Sequence, residues 1–175
     1  MEETIALLNT SDPEIQRHAS RAIERVAAWN ESTTEKALPA TGILVKNLNN
    51  KSEKVRSNCI DALQMIAHQD PIKLEGAVSE IVPLVHDSYW QVLCGAVRTL
   101  RPIADRSPDK LKEYLPTIQP LLADDDWRVR RDTVILIGRI SSKGVLDDLE
   151  IVQERDSSNI VQSAAEEAIQ EIQTK

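Results

Sequence analysis

Apolar positions recur along this chain in a pattern that predicts five similar helices. A large aliphatic residue opens each pattern, a small residue follows four positions later, and aliphatic residues follow eight and eleven positions later. These four residues share one helix face, on which the small residue allows a neighbouring helix to pack closely. The opening residues, at spacings of 40, 37, 37 and 32 residues, are Ile15, Val55, Val92, Val129 and Val161.

A second apolar segment precedes each of these helices, and the first of these segments is the shortest. The chain is therefore predicted to consist of repeats, each with a helix A, a tight turn and a helix B. One such hairpin cannot bury its own apolar face, so neighbouring repeats are expected to stack into one all-α domain over residues 1–175. The predicted repeats are roughly residues 1–28, 34–67, 71–104, 108–141 and 145–174.

Prolines and short polar residues mark the predicted helix ends. A capping oxygen precedes a proline at three helix starts, which are Asp12-Pro13, Asp70-Pro71 and Ser107-Pro108. Four further prolines fall inside A helices and are expected to bend them, namely Pro39, Pro83, Pro116 and Pro120. The widest break in the apolar pattern, residues 29–34, is expected to be a loop between the first two repeats.

Two B helices open with a valine–arginine dipeptide, Val55-Arg56 and Val129-Arg130, and the acidic run Asp124–Asp126 precedes the second dipeptide. The preceding A helix, over residues 114–122, contains two prolines. Paired helices of this period with these features resemble HEAT repeats, and the resemblance covers nearly the whole chain. It implies a right-handed α-α superhelix, a solenoid of about five HEAT-like hairpins whose B helices line a concave groove.

The resemblance also implies a ladder of Asp–Arg pairs that joins neighbouring repeats. The position after the opening residue is an arginine only in the second and fourth repeats, as Arg56 and Arg130. The other three repeats have a glutamine or a leucine there. Pairs of this ladder are therefore expected only from the second and fourth repeats.

Composition and charge narrow the class of protein. The chain is 41% apolar and 28% charged, with a net charge of -7, which does not favour nucleic acid as a partner. Cys59 and Cys94 lie in different helices without a CxxC spacing and are expected to be reduced, buried thiols. No signal peptide and no apolar run of about 20 residues is visible, so a cytoplasmic protein without a membrane partner is expected.

The sequence carries no motif for catalysis, a cofactor or a metal. Glycines do not form a phosphate-binding loop. An iron-binding hydroxylase of the resembling architecture uses His-Glu dipeptides, whereas none of His18, His68 and His86 precedes a glutamate. We therefore predict no catalytic residue, no cofactor and no metal site.

Arginines on the B helices are the first candidate for binding a partner. Positions two, six, nine and ten after the opening residue are expected to face the groove, and they hold Arg17, Arg21, Arg25, Arg98, Arg101, Arg131 and Arg139. Acids at these positions are fewer, namely Glu24, Asp61, Glu167 and Glu171. A basic groove would bind an acidic peptide or helix. The alternative is that these arginines pair with nearby acids on a solvated surface.

Trp90 and Trp127 are the second candidate, since each lies two residues before an opening valine. They either pack in the turn between helices A and B or form a rim that stacks on a partner side chain or base. The leading hypothesis is a non-catalytic scaffold for a protein partner, as a monomer or a weak end-to-end oligomer. The alternative is a nucleic-acid-binding or HEAT-like DNA glycosylase-type protein that uses these tryptophans and the arginines.

Overall fold

Helices make up almost all of the computed structural model of this chain, which describes residues 1–140 and 143–174. That part of the chain contains no strand, which confirms the predicted all-α class. In chain order the α-helices are α1 (Glu2–Leu7), α2 (Pro13–Trp29), α3 (Glu31–Ala37), α4 (Thr41–Lys46), α5 (Glu53–Gln69), α6 (Val78–Ile81), α7 (Trp90–Arg106), α8 (Leu115–Ile118), α9 (Trp127–Ile140), α10 (Leu146–Arg155) and α11 (Asn159–Gln173). The B helices of the five repeats are α2, α5, α7, α9 and α11.

The chain divides into two compact units, an N-terminal unit Met1–Pro102 and a C-terminal unit Ile103–Lys175. The division falls inside α7. A single domain over residues 1–175 stays a prediction. The predicted end of the fourth repeat, residue 141, lies outside the described residues. None of the helices in the described part combines the length and the apolar character that a membrane crossing requires.

The A segments of the second, third and fourth repeats alternate between short α-helices and 3-10 helices. The 3-10 helices around α4, α6 and α8 are Leu38–Ala40, Asn47–Asn49, Pro71–Ala77, Val82–His86, Pro108–Lys110, Lys112–Tyr114 and Gln119–Ala123. A further 3-10 helix, Lys143–Val145, precedes α10.

Prolines explain why these A segments are interrupted. Pro39, Pro83, Pro116 and Pro120 each occupy one of the first two positions of a short helix. Proline has no N–H and clashes with the preceding turn inside a helix, but it fits a first turn. Each proline therefore coincides with a change between α-helix and 3-10 helix inside its A segment, and the bending of these helices by the prolines stays a prediction.

The junction between the first two repeats is one residue long. Asn30 ends α2 and begins α3, because its side chain accepts a hydrogen bond from the Thr33 N–H while the Thr33 hydroxyl accepts one from the Asn30 N–H. This capping box satisfies two helix-end groups at once. The prediction of a loop over residues 29–34 is therefore wrong.

Proline also begins the helices that were predicted from the three capped dipeptides. The Asp12 carboxylate accepts hydrogen bonds from the N–H groups of Glu14 and Ile15, at 2.9 and 3.2 Å, and so caps α2 as predicted. Asp70 precedes the helix Pro71–Ala77, but its side chain makes no cap hydrogen bond. A proline in the first turn is thus a more dependable sign of a helix start than the capping side chain before it.

The apolar pattern of the B helices is buried at every predicted position except two in α2. Ile15 is 38% exposed and Val26 is half-buried. Both lie in the first repeat, where the A segment is only α1, a helix of six residues that buries none of its own side chains. A shorter A helix covers less of its B helix, which leaves these two residues in contact with water.

Neighbouring B helices approach closely where one of them has a glycine. A Cβ on Gly138 of α9 would lie 2.8 Å from the Cβ of Ala168 on α11. A Cβ on Gly95 of α7 would lie 2.7 Å from Cγ2 of Ile60 on α5. Glycine inside a helix costs about 1 kcal/mol relative to alanine, and the close helix packing accounts for its use here.

Candidate protein-binding surface

The arginines of α2 form a row on the helix face away from the core. Arg17, Arg21 and Arg25 follow one another at intervals of four residues, which places them on the same side of the helix. The buried residues of α2 are Ala19, Ser20, Ile23 and Ala27. The helical period of 3.6 residues puts Arg21 and Arg25 on the side away from these buried side chains, whereas Arg17 is half-buried at the edge of this face.

Two arginines of this row have no counter-charge among the described residues. Arg17 donates a hydrogen bond to Glu14 at 2.8 Å, and this bond lowers the pKa of the Glu14 carboxyl. Arg21 and Arg25 are exposed and have no ion pair within the described residues. Like charges four residues apart on a helix repel each other. The row therefore offers two guanidinium groups that a negative partner would neutralise.

Trp29 extends the row by one more turn. It is the last residue of α2, four residues after Arg25, and is 77% exposed. Trp29 was predicted to lie in a loop and was not among the predicted site residues. The continued spacing of four residues from Arg17 would have found it. We call Arg17, Arg21, Arg25 and Trp29 the α2 row.

Charges of both signs meet near Asp61 on α5. Burial and, to a lesser extent, the nearby negative charge of Glu24 raise the pKa of the Asp61 carboxyl to about 6, against hydrogen bonding from Ser57 and the positive charge of Arg98. Arg98 and Arg101 are half-buried, and each takes part in an interaction within the protein. Of the predicted arginines of α7, Arg98 thus lies beside an acid.

The predicted arginines of the C-terminal unit are paired with acids. Arg131 donates to Asp132 at 2.7 Å. Arg139 contacts Asp105 and Glu171, each at 3.2 Å. The predicted alternative, in which arginines pair with nearby acids, describes Arg131 and Arg139 as well as Arg17.

Trp90 and Trp127 occupy the same position in their helices and have almost the same exposure. They are the first residues of α7 and α9 and are 38% and 37% exposed. The guanidinium carbon of Arg131 lies 5.7 Å from the centre of the Trp127 ring, within the range of a cation–π contact. Part of the Trp127 ring is therefore already covered inside the protein.

Two Asp–Arg pairs join neighbouring repeats, as predicted from the second and fourth repeats. Arg56 donates to both carboxylate oxygens of Asp87, at 2.7 and 2.8 Å. Arg130 donates to those of Asp156, at 2.6 and 2.8 Å. In both pairs the side chains are largely buried, at 15% and 8% exposure in the first pair and 12% and 5% in the second. These pairs hold repeats together and leave little charge for a partner.

Each aspartate of the ladder also accepts a backbone hydrogen bond, from Tyr89 N–H to Asp87 and from Ser158 N–H to Asp156, both at 2.8 Å. The hydrogen bond from Arg130 lowers the pKa of Asp156 despite partial burial. Burial would raise the pKa of Asp87, but the hydrogen bonds from Arg56 and Tyr89 outweigh it and lower the pKa. Both carboxyls are thus held in the ionised form.

Side chains that could bind a metal ion or act as nucleophiles are dispersed or buried. Within residues 1–140 and 143–174 no three His, Cys, Asp or Glu side chains are grouped to hold a metal ion. Cys59 and Cys94 are buried thiols, as predicted, and burial raises the pKa of the Cys59 thiol to about 12. A thiol with this pKa is protonated at neutral pH and a poor nucleophile.

Comparison with known proteins agrees with the geometry. The family model for HEAT repeats matches residues 78–170, just over half of the chain. No curated protein matches the sequence. A designed armadillo repeat protein in complex with the peptide (KR)4 is 28% identical, with 97% of this chain and 80% of that chain covered and a TM-score of 0.86.

Two further solved structures support the same fold. Computationally designed armadillo repeat proteins for modular peptide recognition are 26% identical, with 96% of this chain and 80% of that chain covered and a TM-score of 0.82. An engineered protein is 23% identical, with 98% of this chain and 78% of that chain covered and a TM-score of 0.83. The repeat pattern, the Asp–Arg ladder and the family match together show that this chain, an all-α solenoid of helical hairpins, belongs to the HEAT-repeat family.

Proposed function

We propose that this chain is a non-catalytic scaffold that binds an acidic segment of a partner protein on its B helices. Repeat solenoids typically serve as protein-interaction scaffolds, because stacked repeats present one extended surface. Two of the similar solved structures are designed proteins for peptide binding or recognition. The single observation that carries the finer proposal is the α2 row, with two uncompensated arginines and an exposed tryptophan.

The geometry of the α2 row suits a peptide with spaced carboxylates. Arg21 and Arg25 are one helical turn apart, about 6 Å along the axis. Guanidinium groups bind carboxylates through two parallel hydrogen bonds, which makes them better carboxylate ligands than lysines. Trp29 adds an aromatic surface at the end of the row, on which an apolar partner side chain can pack.

The positive charge of the α2 row favours a different peptide from the one that is bound to a structural neighbour. The designed armadillo repeat protein was solved with a basic peptide, (KR)4. A basic peptide would be repelled by Arg21 and Arg25, whereas an acidic peptide would be attracted to them. Arg131 and Arg139 contribute less to such binding, because each is already paired with an acid.

Fluorescence anisotropy with a labelled (DE)4 peptide tests this function on the full chain. We expect (DE)4 to bind, and the double change Arg21→Glu and Arg25→Glu to weaken binding about tenfold or more, mainly at low salt. The matched control is Lys36→Glu with Lys46→Glu, which makes the same change in net charge at exposed positions on the A segments. The control should bind (DE)4 as the parent does.

Three outcomes would overturn the proposal. An equal loss in both double variants would mean that only net charge matters. Binding of (KR)4 at the α2 row would mean that the charge argument has the wrong sign. Binding of a single-stranded oligonucleotide that (DE)4 fails to displace, with a steep dependence on salt, would favour the nucleic-acid alternative. Circular dichroism of each variant checks that it is folded.

A further inference from the structure

The A segments of the C-terminal unit carry a second surface with a different chemistry. Two adjoining depressions, of about 600 and 440 Å³, lie along α10 and the 3-10 helix Gln119–Ala123. They share the lining residues Leu122, Ala123, Ile151 and Val152. Because these four residues line both depressions, the two form one continuous groove, which we call the α10 groove.

Apolar side chains line much of the α10 groove. Ile151 projects from α10 and is 50% exposed. Pro116 and Pro120, both exposed, also line the groove, and we call them the proline wall. The proline ring has no N–H to donate, so its side chain contacts a ligand through apolar surface. A half-exposed isoleucine beside two exposed prolines is a surface that gains stability when it is covered.

Acidic residues line both ends of this apolar surface. Asp148, whose carboxylate accepts a hydrogen bond from the Gln119 amide at 2.8 Å, lies at one end. Asp124 and Asp125 lie at the other end. The end of the groove that Asp124 and Asp125 line also holds Arg155, which is exposed, and Arg130, which is paired with Asp156.

The α10 helix adds more negative charge around the groove. Its exposed acids are Asp147, Asp148, Glu150 and Glu154, whereas Arg155 is its only basic residue. An apolar strip with acids at both ends attracts cations and rejects anions. The chain's own first helix, α1, carries Glu2 and Glu3 and does not match this charge.

We infer that the α10 groove binds a basic–apolar segment of another protein, in which aliphatic residues are flanked on both sides by lysines or arginines. The aliphatic side chains would cover Ile151 and the proline wall. The flanking cations would reach Asp148 at one end and Asp124 and Asp125 at the other. The inference does not depend on the α2 row, which lies in the other compact unit and carries the opposite charge.

An NMR titration of the ¹⁵N-labelled full chain tests this inference. The probe is a synthetic peptide Lys-Lys-Leu-Leu-Lys-Lys. We expect amide shifts confined to residues 117–125 and 148–157, and Ile151→Lys should weaken binding about tenfold or more. The matched control is Ile160→Lys, because Ile160 of α11 lies in the same unit and is 52% exposed, against 50% for Ile151. This control should bind the peptide as the parent does.

Two comparison peptides separate the apolar contribution from the ionic one. Glu-Glu-Leu-Leu-Glu-Glu keeps the leucines and reverses the charge, and Lys-Lys-Ser-Ser-Lys-Lys keeps the charge and removes the leucines. Both should cause much smaller amide shifts at residues 117–125 and 148–157, whether or not the acidic peptide binds at the α2 row. The inference is wrong if either peptide shifts these residues as strongly as the probe does, if Ile160→Lys weakens binding as much as Ile151→Lys, or if no shifts occur at about 1 mM peptide. It is also wrong if the free chain dimerises and Ile151→Lys abolishes the dimer, since the groove would then bind a second copy.

Discussion

Replacing Asp156 with alanine is expected to lower the free energy of unfolding by about 3 kcal/mol, because Arg130 would keep its position without a counter-charge. The two side chains are only 12% and 5% exposed, so water cannot fully replace the lost partner. Urea denaturation followed by circular dichroism measures the change. Asp156→Asn removes the charge but keeps a carbonyl oxygen that can accept from the Ser158 N–H, so its difference from the parent reports mainly the loss of charge.

The control for Asp156 is a pair of equal length on the surface. Lys112 and Asp109 are also 2.6 Å apart, but their side chains are 51% and 85% exposed. Asp109→Ala should cost less than about 1 kcal/mol, because water screens exposed pairs. An equal cost at both positions would contradict the argument from burial.

Acid titration gives a second readout for the same substitution. The pKa of Asp156 is lowered from 3.8 in the folded state, so its contribution to stability is present above that value. The contribution is lost as the pH falls through the lowered folded-state pKa. The stabilities of the parent and of Asp156→Ala should therefore converge below about pH 4.

Replacing Ile137 with alanine is expected to cost roughly 2–5 kcal/mol, the usual loss for a fully buried aliphatic side chain. Ile137 lies on the core face of α9 and has 0% exposure. The substitution would leave a cavity that the neighbouring helices cannot fill completely. Chemical denaturation measures the cost.

Ile135 provides a control on the same helix. It is half-buried and lines a depression on the surface of α9 and α11. Ile135→Ala should cost clearly less than Ile137→Ala, since water already reaches the side chain and no closed cavity forms. Equal costs would mean that the two residues do not lie on the faces that the apolar pattern assigns.

The B helices could be predicted because burial on a helix leaves a local signature in the sequence. Aliphatic residues at fixed intervals, such as Leu63 and Leu100 eight residues after their opening valines, have no exposure in the structure. The ladder could be predicted for a similar reason, because Arg56 and Arg130 occupy the same place in their helices. Both signals depend on spacing within one repeat.

The A segments were harder to predict because the effect of proline depends on its exact position. A proline such as Pro116 or Pro120 bends a helix if the helical turn before it continues through the proline. It begins a new helix if that turn ends before the proline. The apolar pattern is the same in both cases. The one-residue junction at Asn30 was missed because a capping box leaves no apolar signal, although the pair Asn30 and Thr33 carries it.

The state of Arg139 could not be predicted from spacing, because its partners come from distant parts of the chain. It contacts Asp105 and Glu171, which are more than 30 residues away on either side. Arg21 and Arg25 have no such neighbour among the described residues. Which arginines are available to a partner is thus a property of the folded chain.

The interrupted A segments divide the protein into parts that differ in how readily they open. Their 3-10 helices have weaker hydrogen-bond geometry than α-helices, and their prolines contribute no amide hydrogen. The B helices are continuous, with 17 residues in α2, α5 and α7, 14 in α9 and 15 in α11. Amide hydrogens in the B helices should therefore exchange with solvent slowly and those in the A segments quickly. A single A segment, and not a whole hairpin, is then the smallest unit that opens in the native state.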